Sequence, residues 1–211
     1  MKKAVLKQLI FALVVALFLS ACNQINNSDA YEKDTTAKKI SKSTYTPVTI
    51  WIEDFANLRE AIYRQDIAKM KAYFNFPVFV DTTQIWQAIY DNMDQSERPH
   101  TTPSTFTGED LEKNYSRLFN EDFVKSLLKV NTGPLYKDGE FTTPKTVNKD
   151  RSFYMLAQYD KATKSIQLSL IYSGWKDENG VDMSEGESAT IYFFKVTNTN
   201  HLIFEKILFA G

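Results

Sequence analysis

The sequence predicts an α+β domain in which N-terminal helices pack on a curved antiparallel sheet. In the first half of the segment 48–211, apolar residues recur at the three- and four-residue spacing of helices. In its second half, they recur at every second position within four short runs, as in half-buried strands. Helices followed by consecutive strands are typical of α+β domains.

Residues 1–21 have the order of a secretory signal peptide. Three lysines within Met1–Lys7 precede an apolar run from Leu9 to Leu19. A transmembrane helix needs about 20 consecutive apolar residues, and this run ends at Ser20. A membrane-spanning anchor is therefore the weaker interpretation.

The only cysteine of the chain follows this run, in the segment Leu19-Ser20-Ala21-Cys22. This segment resembles the lipobox of bacterial lipoproteins. The resemblance implies that Cys22 carries a diacylglyceryl thioether and an amide-linked acyl chain and becomes the first residue of the mature protein. At ~0.8 kcal/mol per buried methylene, several acyl chains anchor a protein stably to a membrane. An ordinary signal peptidase site beside an incidental cysteine is the alternative.

The residue after Cys22 bears on the destination of such a lipoprotein. In enteric bacteria an aspartate at this place retains lipoproteins in the inner membrane, whereas this chain has Asn23. The resemblance therefore implies a lipid-anchored protein of the bacterial envelope, in the outer membrane, with its domain in the periplasm.

The charge balance limits the classes of partner. Loss of residues 1–21 removes three of 25 basic residues, which leaves 22 basic against 26 acidic residues and a formal charge of −4. No cluster of lysine and arginine follows Lys7. Nucleic acid is therefore not expected as a partner.

Residues 22–47 comprise the lipidated Cys22 and a polar segment of mixed charge without periodicity. Such a segment buries too little apolar surface to offset the entropy of ordering, so we expect a disordered tether. A flexible chain of about 25 residues spans roughly 25–30 Å. The remaining segment, 48–211, has a suitable size for a single domain.

Two helices are expected early in this domain. The first has an apolar face with members spaced three or four residues apart: Trp51, Phe55, Leu58 and Ile62. Asp66 interrupts the pattern and is expected to cap a second helix, in which Ile67, Met70 and Phe74 resume it.

Two further helix starts lie downstream. Thr107 and Asp110 have the spacing of a capping box, and Asn120 is expected to cap the helix after it. The apolar faces of the two helices are expected to contain these residues: Leu111, Tyr115, Leu118, Phe119, Phe123, Leu127 and Leu128.

Four strands are predicted over residues 152–160, 165–173, 188–196 and 201–209. Each is rich in β-branched or aromatic residues. Turn-forming segments separate them: 160–164, Asn179-Gly180 and 198–200.

The segment Leu58–Phe74, with "FNFPVF" over Phe74–Phe79 and the strands downstream, resembles the nuclear-transport-factor-2-like or ketosteroid-isomerase-like superfamily. The resemblance implies helices on a sheet that wraps around a cone-shaped pocket. Members include isomerases, dehydratases, cyclases, carriers and binding modules, so the fold alone does not choose a function. The insertion between Asp81 and Thr107 departs from shorter members of the family.

Candidate acids and bases for catalysis are few. Strict alternation in "LIFEKIL" places either Glu205 or Lys206 on a mostly apolar face, so a buried Glu205 is the best candidate acid or ligand residue. An exposed or salt-bridged Glu205, paired with Lys195 or Arg151, is the alternative. Asp81, at the end of the first strand, is the second candidate acid.

The other candidate residues are aromatic. His100 lies in a polar, proline-flanked loop and His201 at the start of the last strand, where loop, turn and edge roles are expected. Trp51 fits the core face of the first helix. Trp86 and Trp175 are candidate binding residues, with packing as the alternative for each.

No cofactor or metal site is expected, because the chain lacks the motifs of nucleotide binding, zinc proteolysis and nucleophile elbows and has a single cysteine. The leading hypothesis is a non-enzymatic lipoprotein that binds a periplasmic protein or a small ligand. An immunity protein against a periplasmic toxin is one form of it. An accessory of an envelope machine and an enzyme that uses Glu205 or Asp81 are the alternatives.

Overall fold

The computed structural model describes residues 45–148, 151–176, 182–183 and 186–211. Within these ranges the chain has the predicted α+β architecture, with helices packed on a six-stranded antiparallel sheet. The expected signal peptide, Cys22 and the part of the expected tether before Tyr45 lie outside the described residues. No helix in the described part is long and apolar enough to cross a membrane.

The helices precede the sheet in the chain. In order they are α1 (Trp51–Tyr63), α2 (Ile67–Met70), α3 (Ile85–Tyr90), α4 (Gly108–Leu118), α5 (Glu121–Leu128) and α6 (Thr132–Asp138). Short 3-10 turns cover Lys71–Tyr73, Val80–Thr82 and Gln95–Glu97. Helix α3 lies in the predicted insertion, and neither α3 nor α6 is anticipated by the sequence patterns.

The predicted helix starts are confirmed. Each side chain accepts a hydrogen bond from a free backbone N–H in the first turn: Asp66 from Lys69, Thr107 from Asp110, and Asn120 from Phe123. Such caps stabilise a helix by ~1 kcal/mol each. The predicted face of α1 is buried. In α5, Phe123 and Leu127 are buried, whereas Leu128 is 43 % exposed.

The large sheet has the strand order β10-β9-β6-β5-β3, and β4 also pairs with β5. Its long strands match the predicted runs: β5 (Ser152–Asp160), β6 (Ser165–Ser173), β9 (Ser188–Val196) and β10 (Leu202–Ala210). The short strands β3 (Glu140–Thr142) and β4 (Thr146–Val147) lie along the free edge of β5.

Two small strand pairs lie outside this sheet. The strand predicted in "FNFPVF" is β1 (Val78–Phe79), which pairs with β2 (Thr105–Phe106) instead of joining the large sheet. Strand β7 (Trp175–Lys176) pairs with β8 (Asp182–Met183).

The two faces of the sheet differ in burial. On the inner face, toward the helices, the side chains are almost all buried and form one core with the apolar faces of the helices. Its members in the four long strands include Phe153, Met155, Leu168, Leu170, Tyr192, Phe194, Phe204 and Ile207. The alternate side chains lie on the opposite, outer face, where many are half-buried.

A β-bulge at Glu205 changes the phase of the last strand. Phe204 pairs with Phe194, but Lys206 pairs with the very next residue of β9, Phe193, so Glu205 is the extra residue. The bulge keeps Phe204 and Ile207 on the inner face and leaves Glu205 exposed. Of the two positions considered for Glu205, the exposed one is therefore observed, because strict alternation does not hold across the bulge.

The outer edge of β10 is closed by side chains of the segment before α3. The Ile207 N–H donates to Thr83 Oγ1 at 2.9 Å, and the Phe209 N–H donates to Gln84 Oε1 at 2.7 Å. The Gln84 N–H in turn donates to the Ile207 carbonyl at 2.8 Å. These bonds satisfy an edge that would otherwise present free backbone groups to solvent.

Thr83→Val is expected to lower the free energy of unfolding by about 1–3 kcal/mol, because it keeps the side-chain shape but leaves the buried Ile207 N–H without an acceptor. Urea denaturation measures the change. Thr82→Val at the exposed neighbouring position is the control and should change stability little. Equal stability of the two variants would contradict this role of Thr83.

Candidate functional site

A histidine–aspartate pair joins the start of β10 to helix α1. His201 Nδ1 lies 2.9 Å from Asp54 Oδ2, and Asp54 is fully buried. Asp54 also accepts hydrogen bonds from the Leu202 N–H at 2.7 Å and from the Tyr73 hydroxyl at 3.2 Å. The buried carboxylate thus has three partners from two other parts of the chain.

The second ring nitrogen of His201 is also occupied. Nε2 lies 2.9 Å from the carbonyl oxygen of Ala72. Because both neighbours are acceptors, both nitrogens donate when the ring is protonated. Burial opposes this charge, but the hydrogen bonds to Asp54 and Ala72, together with the charge of Asp54, outweigh it and raise the pKa of His201.

This pair has the composition of a catalytic dyad but is closed to a substrate. The ring of Tyr45 lies over the imidazole with a centroid distance of 3.9 Å, and Tyr73 packs nearby at 5.1 Å. No ring nitrogen of His201 is left to accept a proton from a substrate. The pair therefore holds the strand start on the helices, which fits the edge or turn role expected for His201.

A pocket of about 440 Å³ lies between the sheet, helix α3 and the start of α5. Its wall includes main-chain and side-chain groups of three long strands and of the loop after α3. The lining residues that carry polar side chains are Asp91, Asn92, Arg98, Asn120, Arg151, Tyr172, Ser188, Thr190 and Tyr192.

One side of this pocket is an ordered polar cluster. The Arg151 guanidinium donates to Asp122 Oδ2 at 3.0 Å and lies over the Tyr172 ring, 4.2 Å from its centroid. Burial and the charge of Asp122 raise the pKa of the Tyr172 hydroxyl, against the effect of Arg151. Asn120 donates to Asn92 Oδ1 at 3.1 Å and caps α5 with its own oxygen. The cluster is therefore held in place before any ligand enters.

The opposite side is open. Arg98, on the loop after α3, is exposed and has no ion-pair partner among the residues that the structure describes. Ser188 and Thr190 contribute hydroxyl groups from β9. A guanidinium beside hydroxyl and amide groups is an arrangement that binds carboxylates and other oxyanions.

The candidate binding residues that were predicted from the sequence are not found in the wall of this pocket. Trp86 is 7 % exposed, donates from Nε1 to the Thr105 carbonyl at 3.2 Å, and packs edge-on against Phe106 in the core. Trp175 opens β7. Cys22 lies outside the described residues.

The two candidate acids do not line the pocket either. Asp81 is exposed in the 3-10 turn after β1, and the exposed Glu205 lies on the rim of a groove on the other face of the sheet. Neither Lys195 nor Arg151 pairs with Glu205: Lys195 donates to the Thr163 carbonyl and Arg151 to Asp122.

Several important residues were not identified from the sequence. Asp54 carried a signal, because it lies on the same helix face as Trp51 and Leu58, where a carboxylate must find a buried partner. Asn120 carried a signal only as a helix cap, and the sequence gave no sign that Asn120, Arg151 and Tyr172 form one site, since only the fold brings them together.

His100 is exposed, as its loop position suggests. Within the described ranges no group of histidine, cysteine, aspartate and glutamate side chains is placed to hold a metal ion. No protein-family model, curated protein or solved structure matches the chain.

The raised pKa of His201 predicts a pH-dependent stability. A pKa that is higher in the folded state than the unfolded value of about 6.5 stabilises the folded protein. This stabilisation is fully present below pH ~6.5 and is lost as the pH rises through the folded-state pKa. The unfolding free energy of the native chain should therefore exceed that of His201→Gln most at pH 5.5, and the difference should shrink toward pH 9.

Urea denaturation at several pH values measures this difference. His100→Gln, at an exposed histidine, is the matched control and should show no such trend. A difference between native chain and His201→Gln that stays constant with pH would contradict the charged state of the pair.

Proposed function

We propose that the chain is a lipoprotein of the bacterial envelope, anchored through Cys22, whose domain binds a small anionic molecule without transforming it. The anchor and the outer-membrane location rest on the lipobox and on Asn23. The observation that carries the binding function is the polar pocket of about 440 Å³ with Arg98 and Arg151 in its wall.

The size and the chemistry of the pocket support this proposal. Small-molecule sites commonly have volumes of ~300–1,000 Å³ and a few fixed polar groups that orient the ligand. Here Arg151 and Asn120 are held by their own partners, while Arg98 is exposed on the loop at the rim. We infer that the ligand carries a carboxylate or similar oxyanion and has a mass of a few hundred daltons.

The position of the pocket also agrees with the resemblance to the nuclear-transport-factor-2-like superfamily. Its members hold ligands between their helices and a curved sheet, and this pocket lies between those layers. The resemblance supports the location of a ligand but not its identity, because the superfamily includes both enzymes and binding proteins.

Binding is favoured over catalysis by the placement of the acids and bases considered. Asp81 and Glu205 are exposed and do not line the pocket, and His201 has both ring nitrogens engaged. Within the pocket, Arg151 is paired with Asp122. The acids and bases considered are therefore not placed to exchange protons with a ligand in the pocket.

Native mass spectrometry of the mature protein, purified gently from membranes of the source organism, tests the binding function. We expect a co-purifying mass of a few hundred daltons that is lost in Arg98→Gln, because this change removes the exposed guanidinium at the pocket rim. Arg64→Gln, at an exposed arginine outside the pocket, is the control and should retain the mass. A ligand that is absent, or that is retained equally by both variants, would contradict the proposed site.

Cys22→Ala tests the anchor separately. We expect the variant to leave the membrane fraction or to accumulate as an uncleaved precursor, because the acyl chains have no attachment point. Membrane fractionation with immunoblotting measures the outcome. Normally processed variant protein in the membrane would overturn the lipoprotein assignment.

A further inference from the structure

The segment before helix α1 lies as a strap against the turn that joins β9 to β10. The strap comprises residues 45–50. At its start, the Tyr45 ring packs on the His201 imidazole, with 3.9 Å between the ring centroids and an angle of 50° between the planes. Toward its end, the Asn200 side-chain amide donates to the Thr49 carbonyl at 2.8 Å. Two neighbouring residues before β10 therefore contact both ends of the strap.

The two ends are held by different kinds of contact. The Thr49 end is also fixed by Glu53 in the first turn of α1, whose carboxylate accepts from the Thr49 N–H at 3.0 Å and from its hydroxyl at 3.1 Å. These bonds do not involve His201. The Tyr45 end packs on the imidazole, and an aromatic ring attracts a cation that lies within about 6 Å of its centroid. The Tyr45 end is therefore the part of the strap that responds to the charge of His201.

The hydrogen bonds of His201 require a protonated ring. Nδ1 faces Asp54 Oδ2 and Nε2 faces the Ala72 carbonyl, each at 2.9 Å, and both oxygens are acceptors. When the ring loses a proton, the buried carboxylate keeps the N–H on Nδ1, so Nε2 turns a lone pair toward the carbonyl oxygen. Repulsion between these two acceptors moves the ring away from Ala72. The surface on which Tyr45 packs is displaced with it.

The two tyrosines beside the imidazole do not titrate near neutral pH. Tyr73 lies 5.1 Å from the His201 ring and donates to Asp54. Burial and the charge of Asp54 raise the pKa of Tyr45 and that of Tyr73 above the ordinary value of about 10. Both hydroxyls therefore remain neutral up to pH 9, while His201 changes its charge.

The other charges near the strap are paired. Glu60 and Lys69 line a cavity of about 80 Å³ beside the two tyrosines. Glu60 forms an ion pair with Arg64, and Lys69 forms one with Asp66 at 3.4 Å. These pairs keep their charges between pH 5.5 and 9, so they do not account for a change in the strap over this range.

We propose that the strap responds to pH: its Tyr45 end is docked while His201 is protonated and is released when His201 loses its proton. Thr49 stays bound to Glu53 in both states. Release moves the point at which the preceding chain leaves the domain from Tyr45 to Thr49, which adds roughly 13 Å of extended chain at ~3.3 Å per residue. In a protein anchored as we propose above, this length lets the domain turn more freely on its tether. The response of the strap itself depends on neither the anchor nor the pocket.

Nuclear Overhauser effects between ring protons test this response. The full chain in mild detergent is labelled with 13C in its histidine, tyrosine and tryptophan rings, and His100→Gln removes the only other histidine signal. We expect a cross-peak between the Tyr45 and His201 rings at pH 5.5, and its loss as the His201 signal shows deprotonation toward pH 9. The stacked rings of Trp51 and Tyr159, with centroids 4.3 Å apart, are the internal control and should keep their cross-peak throughout.

A second test measures the coupling between docking and protonation. Because docking favours the protonated ring, loss of the Tyr45 ring should lower the pH at which His201 titrates. We expect Tyr45→Leu, which keeps an apolar side chain over the imidazole, to lower this midpoint by about half a pH unit. Tyr45→Phe keeps the aromatic ring and is the matched control, with an unchanged midpoint.

Three results would overturn the proposal. The first is a cross-peak between Tyr45 and His201 that persists after His201 is deprotonated, since docking would then be independent of charge. The second is loss of the cross-peak between Trp51 and Tyr159 over the same range, since the whole domain would then respond. The third is an equal midpoint in the native chain and in Tyr45→Leu. Because neither experiment measures ligand binding or membrane attachment, failure of the strap is distinguishable from failure of the proposed function.

Discussion

The buried carboxylate of Asp54 is the constraint on which the arrangement of this domain depends. A charge without solvent contact is tolerated only when it is fully partnered, and Asp54 meets this condition through His201, the Leu202 N–H and Tyr73. These partners fix the start of β10 against α1 and the turn after α2. Since β10 is the last strand of the sheet and contributes to the walls of the pocket and of the groove on the opposite face, its placement determines the shape of each.

The two faces of the sheet have separate chemistry because the bulge at Glu205 keeps them in phase. If Glu205 were paired in strict alternation, the apolar Ile207 would turn outward and Lys206 would turn into the core. Because Glu205 is bulged, the inner face remains apolar to the end of β10 and Lys206 lies on the outer face, over the Phe193 ring. The bulge therefore preserves the separate character of both faces.

Local patterns in the sequence were sufficient for most of the fold. Three of the four predicted strands match the observed bounds, the fourth is displaced by one residue, and all three expected caps form, because period-two runs and cap residues act over a few positions. The residues that form the sites were harder to predict from the sequence. His201 and Asp54 are 147 residues apart, and the bulge at Glu205 is visible only in the pairing with β9. Trp86 was singled out as a candidate binding residue, yet it packs in the core against Phe106.

The closed edge of β10 has a consequence for the membrane anchoring that we propose. Anchored proteins share a thin layer in which their local concentration is high, and exposed strand edges in such a layer would join one domain to the next. Thr83 and Gln84 occupy the backbone groups through which such strand-to-strand polymerisation would begin. A partner would consequently have to approach this side of the sheet through its faces, by side-chain contacts, rather than by extending the sheet with a strand of its own.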